Sequence, residues 1–134
     1  MPLSSIFILG DGTIYPPNGF AVGCTFPVIL RIWDRPTSAG STEGSPLTKA
    51  QIASIAIVVL DKWSDENTLS TTIDKEVAIK DTLEAWNVDA TGHNFRYNVP
   101  ASAFPSAGHP YRVTITWTLA DGRVGKTKWE GVAQ

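Results

Sequence analysis

Tyr111-Arg-Val-Thr-Ile-Thr-Trp-Thr-Leu119, then Ala120-Asp121-Gly122, then Arg123-Val-Gly-Lys-Thr-Lys-Trp-Glu-Gly-Val132 is the stretch that decides the fold. Tyr111, Val113, Ile115, Trp117 and Leu119 alternate with Arg112, Thr114, Thr116 and Thr118, a period of two that predicts a strand with one core face and one solvated Thr stripe. The Asp-Gly pair marks a hairpin, and its loop length follows from the pattern that succeeds it. A two-residue turn would pair Leu119 with Val124 and carry Lys126 and Lys128 onto the core face. A three-residue loop, with Gly122 left-handed in a bulge, pairs Leu119 with Arg123. It turns Gly125, Thr127 and Trp129 inward and both lysines outward. Burying two lysines costs far more than a bulge, so the bulged loop is expected.

Working outward, Phe95, Tyr97 and Val99 alternate with Asn94, Arg96 and Asn98 in a second half-buried strand that ends at Pro100. Phe104 is expected to plug the end of the fold. Val28–Trp33, broken only by Arg31, and Ile55–Leu60 are apolar on both faces, as central strands with covered second faces are. The expected interior comprises Val28, Leu30, Ile32, Ile55, Ile57, Val59, Phe95, Tyr97, Val99, Val113, Ile115 and Trp117. Residues 69–86 read ambiguously: Thr71–Ile73 and Val77–Ile79 resemble strands, and Lys80–Trp86 one helical turn. The Ser/Gly/Pro-rich stretch 35–48 is a loop within one domain, since neither side would fold alone. Turn signals at this spacing make the chain all-β, a sandwich or barrel.

At 134 residues, 43% hydrophobic and 18% charged, the chain is long enough for one core without disulfide or metal. Thirteen acids and eleven bases, net −2 and without blocks, argue against a nucleic-acid surface. The apolar run Ile6-Phe7-Ile8-Leu9 is too short for a signal core or a membrane span, so neither export nor membrane insertion is expected. Cys24, the single cysteine, is expected to be a small buried hydrophobe. His93 and His109 lie in Gly- or Pro-flanked turns without metal-ligand spacing and read as exposed loop histidines. Asp61, Asp65, Glu66 and Asn67 gather oxygens at one turn, but without the alternation and glycine of a calcium loop. Asp11-Gly12-Thr13 reads as a turn. No nucleophile elbow, phosphate loop or zinc-protease motif occurs, so no catalytic residues, metal or cofactor are expected and the protein reads as a non-enzyme.

The anomaly is apolar excess. With the interior filled, Ile29, Trp33, Val58 and Leu60 fall on outer faces, and Ile6, Phe7, Ile8 and Leu9 have no assigned place. Trp63 and Trp86 lie beside loops. Cover by the chain's own N-terminal segment and its 35–48 loop is one reading. A protein–protein contact made by these residues and Tyr15 is the other. Residues 1–19 are expected to form an extension or arm ahead of a domain spanning 20–134. That extension would pack back as an edge strand or add to a neighbour's sheet.

Ile55–Leu60, the Phe95-x-Tyr97-x-Val99-Pro100 strand end, and Tyr111-x-Val113-x-Ile115-x-Trp117 with its hairpin resemble immunoglobulin-like and fibronectin-III-like modules over the last 80 residues. In their order they are similar to the stand-alone sandwich proteins of tailed-bacteriophage virions and tails. The resemblance implies an immunoglobulin-like antiparallel β-sandwich of about seven or eight strands, with Tyr111 in the place of a tyrosine corner. It implies a virion structural protein, a capsid-decoration or tail-accessory subunit binding other protein subunits or copies of itself. The alternative is a carbohydrate- or receptor-binding module presenting Trp63, Trp86 or the 89–94 turn.

Overall fold

The computed structural model describes residues 22–34, 45–85 and 92–134, together with the backbone of 6–10. Two antiparallel sheets pack face to face. The first, in the order β1 (Ile6–Gly10), β2 (Phe26–Asp34), β7 (His93–Val99), β6 (Ile79–Glu84), also carries the two-residue β3 (Ser45–Pro46) on β2. The second runs β5 (Glu66–Thr72), β4 (Ile52–Asp61), β8 (Pro110–Leu119), β9 (Val124–Val132). The chain is an all-β sandwich, as the turn spacing predicts.

Each expected interior residue except Tyr97 is fully buried; Tyr97 is half-buried against the cluster. Phe95 and Trp117 join the sheets edge to face, ring centroids 4.7 Å apart, and the Trp117 indole N–H donates to Thr127 Oγ1 at 3.1 Å. A buried Trp thereby keeps its polar handle satisfied. Phe104 closes one end, edge-on to Phe26 and Tyr111. The Tyr111 hydroxyl accepts from Ser106 N at 3.0 Å, tying the start of β8 to the loop before it as a tyrosine corner does.

The closing hairpin has the bulged register. Thr118 pairs with Val124, Trp117 with Gly125 and Val113 with Trp129, while Leu119 N donates to Arg123 O and Gly122 takes φ +95°. Lys126 and Lys128 are exposed, and Trp129 packs edge-on to Phe26. The cost of burying charge sets this register.

Three expectations are corrected. Helix and strand exchange places in 73–84: Lys75–Ala78 is a helical turn (α1) and Ile79–Glu84 the strand. Asp74 caps the turn by accepting from Glu76 N, and Lys75 Nζ ties it to the carbonyls of Lys49 and Ile52. Cap and anchor outweigh the β preference of Val77. Cys24 is exposed, because the chain is still in a turn with Gly23 at φ +79° and β2 begins only at Phe26. Part of the 35–48 loop is ordered structure: residues 45–46 pair with β2 and Leu47 is buried.

Sequence alternation also misplaces Asn94, which is fully buried. β2 pairs with β7 from Phe26 to Leu30, and beyond that with β3 at Trp33 and Asp34. In the gap Asn94 Oδ1 accepts from Ile32 N at 2.7 Å, and Nδ2 donates to Ile32 O at 2.9 Å and Leu47 O at 3.1 Å. The carboxamide takes the place of a peptide group in the ladder. Two residues earlier, a Cβ on Gly92 (φ +101°) would overlap the Glu84 carbonyl, so only glycine lets β7 enter against β6.

Asn94→Leu strips these bonds and leaves the Ile32 N–H buried without a partner. The variant should lose about 2–4 kcal/mol in a urea melt, with an unchanged m-value. Gly92→Ala should lose about 1–3 kcal/mol from strain and overlap.

Candidate functional site

A cluster of polar and aromatic side chains lies at the end of the second sheet, where β4 turns into β5 and β8 begins. Asp61, the last residue of β4, is buried despite its charge. Its Oδ2 lies 2.7 Å from His109 Nδ1, and its Oδ1 accepts from the backbone N–H of Trp63 at 3.0 Å and of Ser64 at 3.4 Å. The turn closes with Asp65 N donating to Asp61 O at 2.8 Å, Asp65 at φ +59°, and Lys62 N donating to Pro110 O. Aspartate tolerates that left-handed conformation better than most residues.

This scaffold presents Trp63. Its ring packs on His109 at a centroid distance of 4.5 Å, with Tyr111 behind His109 at 6.5 Å, yet Trp63 is 68% exposed. Leu60 and Val132 lie at the same end of the sheet, bounded by Lys62, Arg112 and Glu130, and both cations pair with the Glu130 carboxylate. Trp63 is thus an exposed aromatic beside a row of paired charges, with Leu60 and Val132 on either side of that row.

The histidines need correction. His93 is buried, since its place on β7 has the inward parity of Phe95. His109 is not a free loop side chain: its imidazole is 28% exposed and held by Asp61. His93 is the first residue of β7 and not a turn residue, and the hydrogen bond joining His109 to Asp61, residues 48 apart, has no local signature. The acidic turn is no calcium loop either. Asp61 points back into the fold, and among the described residues no three His, Cys, Asp or Glu side chains converge to hold a metal.

The other nominated contact residues are dispersed. Ile29 and Trp33 are half-buried on the first sheet, Trp33 beneath the Arg31 guanidinium at 5.6 Å; Val58 and Leu60 are half-buried on the second. The backbone of Ile6, Phe7, Ile8 and Leu9 pairs with β2 of the same chain. Tyr15 and Trp86 lie outside the described residues, as does the 11–13 turn. Sequence reading missed the exposed Val77, Val124 and Val132; of these, the parity of β9 is a signal that would have found Val124 and Val132.

No family model, curated protein or solved structure matches this chain. The fold is an antiparallel β-sandwich that presents an exposed tryptophan, Trp63, at one end.

Two buried groups, Asp61 and His93, make stability depend on pH. The His109 hydrogen bond, assisted by the Trp63 and Ser64 amides and opposed by desolvation, holds the Asp61 carboxyl below its ordinary 3.8. Burial, reinforced by the charge of Arg96, holds His93 below its ordinary 6.5, against the opposing pull of Glu84. In each case the unfolded chain binds protons that the folded chain refuses, so stability falls on acidification. The His93 contribution is whole above 6.5 and lost as pH drops through its lowered value; that of Asp61 is whole above 3.8 and lost below it. Urea midpoints measured from about pH 8 to pH 3 should fall in two stages, with His93→Leu flattening the first and Asp61→Asn the second.

Proposed function

We propose that this protein acts by binding other proteins, as a structural accessory subunit of a virion, and performs no chemistry of its own. The observation that carries the reading is Trp63, a large aromatic left exposed although Asp61 holds its backbone N–H and His109 packs on its ring. Ordering a side chain costs conformational entropy, and a rigid exposed aromatic is what a binding hot spot requires.

The immunoglobulin-like resemblance is supported by strand order. β1-β2-β7-β6 against β5-β4-β8-β9 corresponds, place for place, to an A-B-E-D sheet facing C′-C-F-G, with Tyr111 at the start of the F position. The large buried Trp is on the F-position strand here, whereas antibody domains carry theirs on C. A resemblance of this kind bears on the fold, and the virion reading goes beyond it.

A second reading is favoured by one feature of the same site. Trp63 stands beside the Asp61–His109 pair, and an exposed indole next to fixed polar groups also suits a sugar ring. The protein-contact reading is preferred because the sandwich also exposes Val77, Val124 and Val132.

A tagged copy of the chain, made during infection by the virus that encodes it, should co-sediment with intact virions, and Trp63→Ala should reduce its occupancy at least tenfold without changing its urea midpoint. A chain found only at the top of the gradient overturns the virion reading. Quenching of Trp63 fluorescence by glycans, absent in Trp63→Ala, would establish the sugar reading instead.

A further inference from the structure

We propose that the edge of β7 at Arg96–Asn98, which no described strand covers, is a docking groove for an extended peptide carrying an acidic side chain. The inference deepens the protein-contact reading and rests on it, but uses a different surface. β6 pairs with β7 only as far as Ile79↔Phe95, and the chain upstream of Ile79 is α1, so the next residues of β7 face a helical turn where a strand would continue the sheet. Between them lies a groove of about 330 Å³ lined by Ile73, Val77, Ala78, Tyr97 and the polar Asp74, Arg96 and Asn98.

The direction of the peptide groups follows from Asn94. Ile32 turns both its N–H and its C=O to the Asn94 carboxamide, on the β7 side of β2. Peptide groups along a strand alternate in direction, so Leu30 and Val28 also turn toward β7, and their partners Phe95 and Tyr97 complete those bonds. The Asn98 backbone groups and the Arg96 carbonyl therefore aim away from β2, toward the groove, while the Arg96 N–H is taken up by the Ala78 carbonyl at the end of the Ile79↔Phe95 pairing. An added strand meets donors and acceptors already in register.

The side chains select the occupant. Arg96 and Asn98 lie on the outer face, and among the described residues no carboxylate pairs with Arg96 and no hydrogen bond engages the Asn98 carboxamide. Asp74, the groove's carboxylate, is committed to capping α1. Tyr97, Ile73 and Ala78 form an apolar floor, and Val77 stands 70% exposed at the lip. An antiparallel segment would place an acid opposite Arg96, a small apolar residue opposite Tyr97 and a hydroxyl or amide opposite Asn98. In sequence, that is apolar-Thr-apolar-Glu.

The test titrates the ¹⁵N-labelled full chain with the blocked peptide acetyl-Ser-Val-Thr-Val-Glu-Ser-amide and follows amide shifts. Shifts should concentrate at residues 96–98 and at Val77. N-methylation of the central Thr, which blocks one edge hydrogen bond, should abolish them. Arg96→Glu, an exposed change, should weaken binding about five- to tenfold, as should Lys for Glu in the peptide, and the two reversals together should restore it. Shifts centred on Trp63, equal binding of the N-methylated peptide, or no binding at millimolar concentration would overturn the groove. If peptide binding fails while the chain still co-sediments with virions, the groove is wrong and the contact reading stands. Peptide binding by a chain absent from virions gives the reverse.

Discussion

One side chain sets the layout of the first sheet. Where β2 leaves β7 and takes up β3, a run of peptide groups would face a gap inside the protein, and a buried unpaired N–H costs about as much as several surface interactions contribute. Asn94 fills that gap with an amide of its own, holding Ile32 and Leu47 at once. Because the 45–47 segment is fixed there, Leu47 enters the core and a single 3-10 turn at Lys49–Gln51 leads straight into β4. The crossing from the first sheet to the second thus depends on a carboxamide doing the work of a backbone.

The second sheet has its own polar lock at the opposite end of β4. Asp61, His109 and the Ser106–Tyr111 bond join the β4–β5 turn to the chain entering β8, which is the pair of central strands on which the sheet is built. Desolvating a carboxylate is unfavourable alone, but three donors compensate Asp61, and the arrangement is rigid enough to hold an indole in solvent. The same residues serve fold and surface, so a change at Asp61 acts on both.

The sequence disclosed what has a period. Alternation in Tyr111–Leu119 and Phe95–Val99 assigns faces, the position of the lysines selects the hairpin register, and nearly all of the interior follows. What it concealed lies out of the faces altogether. Asn94 lies in the plane of the sheet, where inward-or-outward alternation has no category for it. The Asp61–His109 pair joins distant segments, and Asp74 directs 75–78 into a helical turn by a single cap. Trp63 was legible as a candidate because an aromatic in a polar turn is unusual; the scaffold that fixes it was not.

The cap at Asp74 also connects local chemistry to the surface the fold leaves open. Ile73 still pairs with β4 through its bond to Ile55 O, so the chain leaves the second sheet in extended form and needs to cross to the first. Had residues 75–78 stayed extended, their continuation of β6 would have covered Arg96–Asn98 and closed the edge of β7. By winding one turn instead, anchored through Lys75 to the start of β4, the chain shortens β6 and exposes that edge beside an apolar floor. Exposed edges invite unwanted pairing, and β9 meets the same hazard with the outward charges of Lys126, Lys128 and Glu130. The β7 edge lies beside α1 and, among the described residues, presents Arg96 and Asn98. That combination limits which strand can enter without preventing entry, so the selectivity of the groove arises from the device that protects it.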